Sequence, residues 1–264
     1  MVLELLGLLA LGIAFLGGCL ALLAAGRRAY LLARYVTTRP RTADAVDPGP
    51  GRRWLRVTGE AVAGDALAGP EGGDALAYRV TAHRQERFAG VPWPRSTTSL
   101  LDATARVPFA LRGPSRSLRV LETGDVDVIG RNWNEKGATY TPADPPPDAL
   151  GSVLATHGVD AASKLGDGYA FDHDLRVRSD VVAAGDRVRL FGRFDVRRDD
   201  RLALHPASGR LGDVCLTTGP WRTLWIRYLH EFLRALLGGA LLVAVAGYFL
   251  WPAATDAVAW LAPP

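Results

Sequence analysis

The chain has 264 residues, 48% of them hydrophobic, with two cysteines and a formal charge of +4. The positive excess lies in eight arginines beside two apolar runs (Arg27, Arg28, Arg34, Arg39, Arg41, Arg222, Arg227 and Arg234), while residues 42–221 hold 23 basic and 24 acidic side chains. A middle at a net charge of −1 argues against a nucleic-acid footprint; two cysteines far apart, Cys19 and Cys215, exclude a disulfide framework and a cysteine-based zinc site.

Taken in order, Val2 to Ala25 is an apolar run broken only by Glu4. A cleaved signal peptide carries positive charge before such a run and small residues at a cleavage site after it. Here Glu4 precedes the run and Arg27 and Arg28 follow it, so residues 1–26 are expected to form a first transmembrane helix. Residues 27–53 are expected to extend that helix and then break it in a linker at Pro40, Pro48 and Pro50, none of which can continue a helix.

From Trp54 the hydrophobic period changes to two, and residues 54–220 are expected to form a mostly β domain with one short helix, Asp148 to His157, capped by Asp148. Strands are expected around 54–62, 75–84, 106–111, 117–121, 125–129, 174–178, 187–196, 201–205 and 213–216. Two stretches echo each other: Leu55-x-Val57-x-Gly59 and Val188-x-Leu190-x-Gly192, each followed by a leucine, a proline, a glycine and another strand. A glycine inside a strand marks a bulge or a tight bend. The pair therefore points to a small curled sheet or barrel closed by the two ends of the domain, although short β segments also resemble one another by chance.

Residues 221–234 interleave Arg222, Arg227 and Arg234 with Trp221, Trp225 and Tyr228. Arginines with amphipathic aromatics beside an apolar run mark the headgroup layer of a bilayer. The 17 uncharged residues 235–251 follow as a second transmembrane helix, and 252–264 as a short tail. Small residues recur four apart at Ala10, Ala14 and Gly18 and at Ala240 and Ala244, a spacing that lets membrane helices approach closely and that an alanine-rich composition also produces. Arginines on the inner flank of both runs place the β domain in the cytoplasm and both termini outside, in a multi-pass protein of the cell membrane.

The order of these features resembles the GIDE/MULAN-type membrane-anchored E3 ubiquitin ligases. The likeness rests on the Gly59 strand, Pro70 and its turn, Tyr78-Arg79-Val80, Val107-Pro108-Phe109-Ala110-Leu111, the turn Gly185-Asp186-Arg187-Val188 into Phe191-Gly192, and the strand at Cys215 between two apolar helices. The resemblance implies a membrane-adjacent GIDE domain. In that family a RING finger follows the second membrane helix and needs eight Cys/His ligands for two zinc ions. The residues after Trp251, PAATDAVAWLAPP, contain none, so the ligase chemistry is not carried over.

No catalytic constellation is legible, and no cofactor is expected. Asp172-His173-Asp174 alternates across a strand and does not converge on one ion; no serine sits in a G-x-S-x-G elbow, and Gly166-Asp167-Gly168 lacks a phosphate-loop context. The expected partners are the lipid bilayer, through Arg27, Arg28, Trp221, Arg222, Trp225, Arg227 and Arg234, and a protein, through Trp93 in the proline-flanked loop FAGVPWPR. The function expected is a membrane-anchored binding or scaffolding module, the alternative a RING-less relative that supplies substrate binding to a ubiquitin-like conjugation system.

Overall fold

The computed structural model describes residues 2–261 except 48, 50, 64, 87–95, 121–125, 131–136, 142–143, 160–162, 166–167, 171–173, 199–201 and 207–213. Two units emerge: a helical one, residues 1–37 with 224–264, and a β unit, residues 38–223.

The helical unit holds α1 (Val2–Thr37) and the part of the last helix, α3 (Trp221–Leu261), that begins at Leu224. Both apolar runs are thus helical. The last helix does not stop at Trp251; it continues through Pro252 to Leu261, so most of the expected tail is helix.

In the β unit, β1 (Arg41–Thr42) and a 3₁₀ turn (Ala43–Ala45) precede β2 (Gly51–Ala63). Two short strands, β3 (Leu67–Ala68) and β4 (Asp74–Ala75), lead into the hairpin β5 (Ala77–Glu86) and β6 (Ser96–Arg106). After β7 (Phe109–Arg112), β8 (Ser117–Val120), β9 (Val126–Ile129) and β10 (Ala138–Tyr140) comes the one short helix, α2 (Asp148–Thr156). Then follow β11 (Ser163–Leu165), β12 (Gly168–Ala170), β13 (Asp174–Val182), β14 (Arg187–Arg198), β15 (Leu202–Pro206) and β16 (Val214–Thr217).

Five strands close a barrel in the order β2-β7-β8-β15-β14, with β14 pairing back onto β2. All contacts round the barrel are antiparallel except β8 with β15. The closing pair is made by the two echoing stretches. They run antiparallel in register, Leu55 opposite Gly192, Val57 opposite Leu190 and Gly59 opposite Val188. Each glycine sits where its strand changes neighbours. On one side of β2, residues 57–58 pair with β1 and 60–63 with β7; on one side of β14, 189–191 pair with β16 and 194–198 with β15. At these corners there is no room for a side chain. A Cβ on Gly59 would lie 2.9 Å from Leu111 Cβ, and one on Gly192 would lie 2.7 Å from Val214 Cγ2.

The barrel is filled by alternate residues of its strands, among them Leu55, Val57, Leu111, Leu190, Phe194 and Leu204, all buried. Ala43 and Val46 belong to this core. The expected linker is therefore partly built into the barrel rather than free. Asp44, on the turn between them, accepts hydrogen bonds from the Ser115 amide (2.8 Å), the Ser115 hydroxyl (3.0 Å) and the Arg116 amide (2.5 Å), which pins the β7–β8 connection.

A second sheet, β10-β13-β5-β6, is assembled from two insertions, one between β2 and β7 and the other between β8 and β14. Helix α2 buries Leu150, Val153 and Leu154 in the core of this sheet, with Val80, Ala82, Leu175 and Val177. Its N-cap is Pro147, and Asp148 is the first helical residue rather than the cap; there its carboxylate favours the positive end of the helix dipole. Arg79 on β5 ties the sheet to the barrel extension. Its guanidinium donates to both oxygens of Asp102 on β6 (2.8 and 2.7 Å) and to Asp127 on β9.

Candidate functional site

The helical unit shows how the two apolar runs meet. A Cβ on Gly18 would lie 3.0 Å from the Gly239 carbonyl, and one on Gly239 would lie 3.0 Å from the Gly18 carbonyl. Farther along, Arg28 Nε lies 3.0 Å from Glu231, and Tyr35 and Tyr228 meet with ring centroids 6.1 Å apart. These three contacts put the helices antiparallel, apolar half beside apolar half and arginine-bearing half beside arginine-bearing half. Of the small-residue ladders, Gly18 does lie in the crossing, but Ala240 and Ala244 face outward and Gly239 makes the close approach instead.

Beyond the crossing, large apolar side chains point away from the partner helix. Leu9, Ile13, Leu16, Leu20 and Leu23 on α1, and Leu237, Leu241, Tyr248, Phe249 and Trp251 on α3, are all exposed, Tyr248 by 77%. At the other end, Glu231 is shared by Arg28 and by Arg227, whose Nε donates to it at 2.8 Å. Arg27 and Arg234 are exposed, and Trp225 is 41% exposed.

The expected lipid collar is divided between the units. Trp221 and Arg222 belong to the β unit; Trp225, Arg227 and Arg234 belong to the helical one. Trp221 has a partner on the barrel: the Arg56 guanidinium lies over its ring, 4.5 Å from the centroid. Two residues before Arg56 on β2, Trp54 stacks on Phe191 of β14 at 5.4 Å, and Arg189 Nη1 on β14 donates to the carbonyls of Thr218 (3.3 Å) and Gly219 (2.7 Å) just before the helix begins. Outward positions of β2 and β14 thus clamp residues 218–221 within the β unit. The sequence held this signal as Arg52-x-Trp54-x-Arg56 and Arg187-x-Arg189-x-Phe191-x-Arg193, alternating residues on one face of two paired strands. It was hidden because the two halves lie far apart in the chain.

A cleft of about 320 Å³ opens beside β13 in the second sheet. Its walls include Gly130 after β9, Gly137 and Ala138 before and in β10, Arg178 to Val181 on β13, and Thr218. Arg178 and Asp180 share one side of β13, and Arg178 Nη2 donates to both carboxylate oxygens at 2.9 Å. A side chain at Gly130 would overlap the Asp180 carboxylate, so backbone alone forms that wall.

Trp93, Asp172 and His173 lie outside the described residues. Among the described residues, no three His, Cys, Asp or Glu side chains gather as a metal site would require. Known protein families, curated proteins and solved structures show no match to this chain.

Proposed function

We propose that this chain is a membrane-anchored binding or scaffolding protein, its helices crossing the bilayer as a hairpin and its β unit presented on the cytoplasmic side. The observation that carries the membrane part is the outward apolar band on both helices. Leaving a leucine- or phenylalanine-sized side chain in water rather than in an apolar medium costs about 1.5–3 kcal/mol each, and ten such side chains line this band. Hydrocarbon solvates them, and the helical backbone satisfies its own hydrogen bonds there. The arginines gathered at one end of both helices support the orientation. In alkaline carbonate washes of membranes expressing the full chain, the protein is expected to stay in the pellet; release into the supernatant rejects membrane crossing.

Binding rather than catalysis is supported by what the polar groups do. Arg56, Arg79, Arg178 and Arg189 each hold an aromatic ring, a carboxylate or a carbonyl of the fold itself. A five-stranded Greek-key barrel is also the architecture of modules that bind single-stranded nucleic acid, but architecture alone assigns no ligand. Here Trp54 and Trp221 are stacked against the protein's own side chains. The second reading, a RING-less relative of the GIDE/MULAN-type ligases, is favoured by the order of motifs between two apolar helices. A pull-down from detergent-solubilised membranes separates these readings. Membrane or other proteins without conjugation machinery support scaffolding, conjugating enzymes or modifier proteins support the second reading, and nucleic acid contradicts both.

A further inference from the structure

The β unit gathers positive charge on one outer face of its barrel. Residues 42–221 sum to −1, yet the outward positions of the paired strands, even numbers 52–60 on β2 and odd numbers 187–195 on β14, carry five arginines against two acids, Glu60 and Asp195. The register sets Arg193 directly opposite Trp54, with Arg52 two residues before it on β2. Both arginines are exposed and Trp54 is half-buried. Trp54 gives a ring face to Phe191, and beside it the Arg56 guanidinium covers a face of Trp221. An indole held by its face between exposed arginines suits a headgroup layer, where the guanidinium meets phosphate and the amphipathic ring meets the apolar boundary. Stacking on a nucleobase would need the ring faces that the fold already uses.

The same face includes the first residue of α3. From Trp221 to Ala235, where the uncharged stretch of that helix starts, is about 21 Å along the helix axis. A bilayer that α3 enters therefore holds this face close by, and tethering turns a weak attraction into an effective one without any added contact. Two exposed arginines are too few to recruit a free protein to a membrane, but they can orient one that is already anchored. The cytoplasmic leaflet supplies the complementary charge, since its anionic lipids give it a negative surface potential.

We propose that the barrel face bearing Arg52, Trp54 and Arg193 is a docking surface for the headgroups of anionic phospholipids. Arg52 and Arg193 engage the phosphates, and Trp54 and Trp221 settle among the headgroups. The attraction is electrostatic, so it weakens when salt is raised from about 0.15 M to about 1 M and the screening length falls from about 8 Å to about 3 Å. The proposal rests on the membrane-crossing reading above and names the side of the β unit that meets the leaflet.

The test uses the full chain in nanodiscs of phosphatidylcholine alone and of phosphatidylcholine mixed with phosphatidylglycerol. Hydroxyl-radical footprinting with mass spectrometry reads the oxidation rate of Trp54, with exposed Leu100 on β6 as the internal reference. Oxidation of Trp54 is expected to be about threefold slower or more in the anionic discs. The slowing should vanish when Arg52→Gln and Arg193→Gln are combined, and return when Arg52→Lys and Arg193→Lys are combined; equal near-ultraviolet circular dichroism shows that both variants have folded. Equal rates in the two kinds of disc, or slowing that persists in the glutamine variant, overturns the docking surface. Slowing in phosphatidylcholine discs by soluble glycerol phosphate or by a single-stranded oligonucleotide, as strong as that in anionic discs, overturns it in favour of a free ligand. A chain that enters both discs without any slowing leaves the membrane reading standing without this face, whereas a chain that enters neither disc removes both.

Discussion

Single residues decide whether the barrel closes. Gly192 has Val214 against the place where a Cβ would project, with Cα at 2.8 Å and Cγ2 at 2.7 Å. Because backbone atoms are among the neighbours, a rotamer change cannot relieve the clash. Gly192→Ala is expected to cost about 1–3 kcal/mol, the usual range for overpacking, whereas Gly73→Ala, with nothing within 4 Å, should stay within about 0.5 kcal/mol. Denaturant unfolding of the full chain in detergent, followed by near-ultraviolet circular dichroism, compares them; equal midpoints would mean that the corner tolerates a side chain. Asp44 gives a pH-dependent case. Desolvation pushes its carboxyl up, but hydrogen bonds from Ser115 and Arg116 outweigh this and hold it below the ordinary value of 3.8. A carboxylate with a depressed pKa in the folded state contributes stability above its unfolded pKa, and that contribution disappears as pH falls through the folded value. Asp44→Asn should therefore be less stable than the unmodified chain at pH 7, and the gap should narrow below about pH 4. A gap that is constant between pH 7 and pH 3 would show that the charge of Asp44 is irrelevant.

At the scale of elements, the helix crossing is the clearest case. Gly18 and Gly239 approach backbone to backbone, whereas Gly238, one residue away, has nothing within 4 Å of its absent Cβ. Close approach through small residues is what lets membrane helices associate without a hydrophobic driving force between them. Gly239→Leu should therefore part the helices, and Gly238→Leu should leave them together. A disulfide engineered between positions 35 and 228, where the two tyrosines meet, reads this out with Cys19 and Cys215 replaced by serine: its yield should fall severalfold in the first variant only. Equal yields would remove the crossing as a stabilising contact. The sequence showed small residues in both helices but not which of them meet, because a spacing of four repeats on several faces of an alanine-rich helix. Strand positions were more legible. β2, β8, β9, β14 and β16 fall within a few residues of the apolar runs; β2, β8 and β14 bury one face, and β16 is buried throughout. β6 was missed: of its residues from Thr98 to Arg106 none is fully buried, and its alternation over Leu101–Arg106 rests on one leucine and two alanines, a weak apolar signal. The short β10 was also missed, being three residues long with none of them buried.

At the scale of the whole molecule, the echo between Val57-x-Gly59 and Leu190-x-Gly192 pointed to a small curled sheet or barrel closed by the two ends of the domain; of these the closed barrel is found, with the two echoing strands paired to each other. The clamp of Trp54, Arg56, Phe191 and Trp221 and the cleft beside β13 were not legible, since each joins positions far apart in the chain whose proximity depends on register. The proposed arrangement across a membrane rests on charge instead. Arg27, Arg28, Arg34, Arg222, Arg227 and Arg234 all lie at one end of the helices, against Glu231 alone, and basic residues close to a membrane span resist translocation. The β unit is accordingly expected inside and both termini outside. Full-length protein with Cys19 and Cys215 replaced by serine, and one cysteine introduced either at Ser99 on exposed β6 or after Pro264, is exposed on intact cells to a membrane-impermeant maleimide. Labelling is expected after Pro264 and absent at Ser99 until the cells are opened. The reverse pattern would invert the topology, and labelling of both positions in intact cells would place the β unit outside. Replacing Arg222, Arg227 and Arg234 together with Gln should shift part of the population toward the inverted pattern, because the eight arginines beside the two runs then fall to five and the second run loses all of its own.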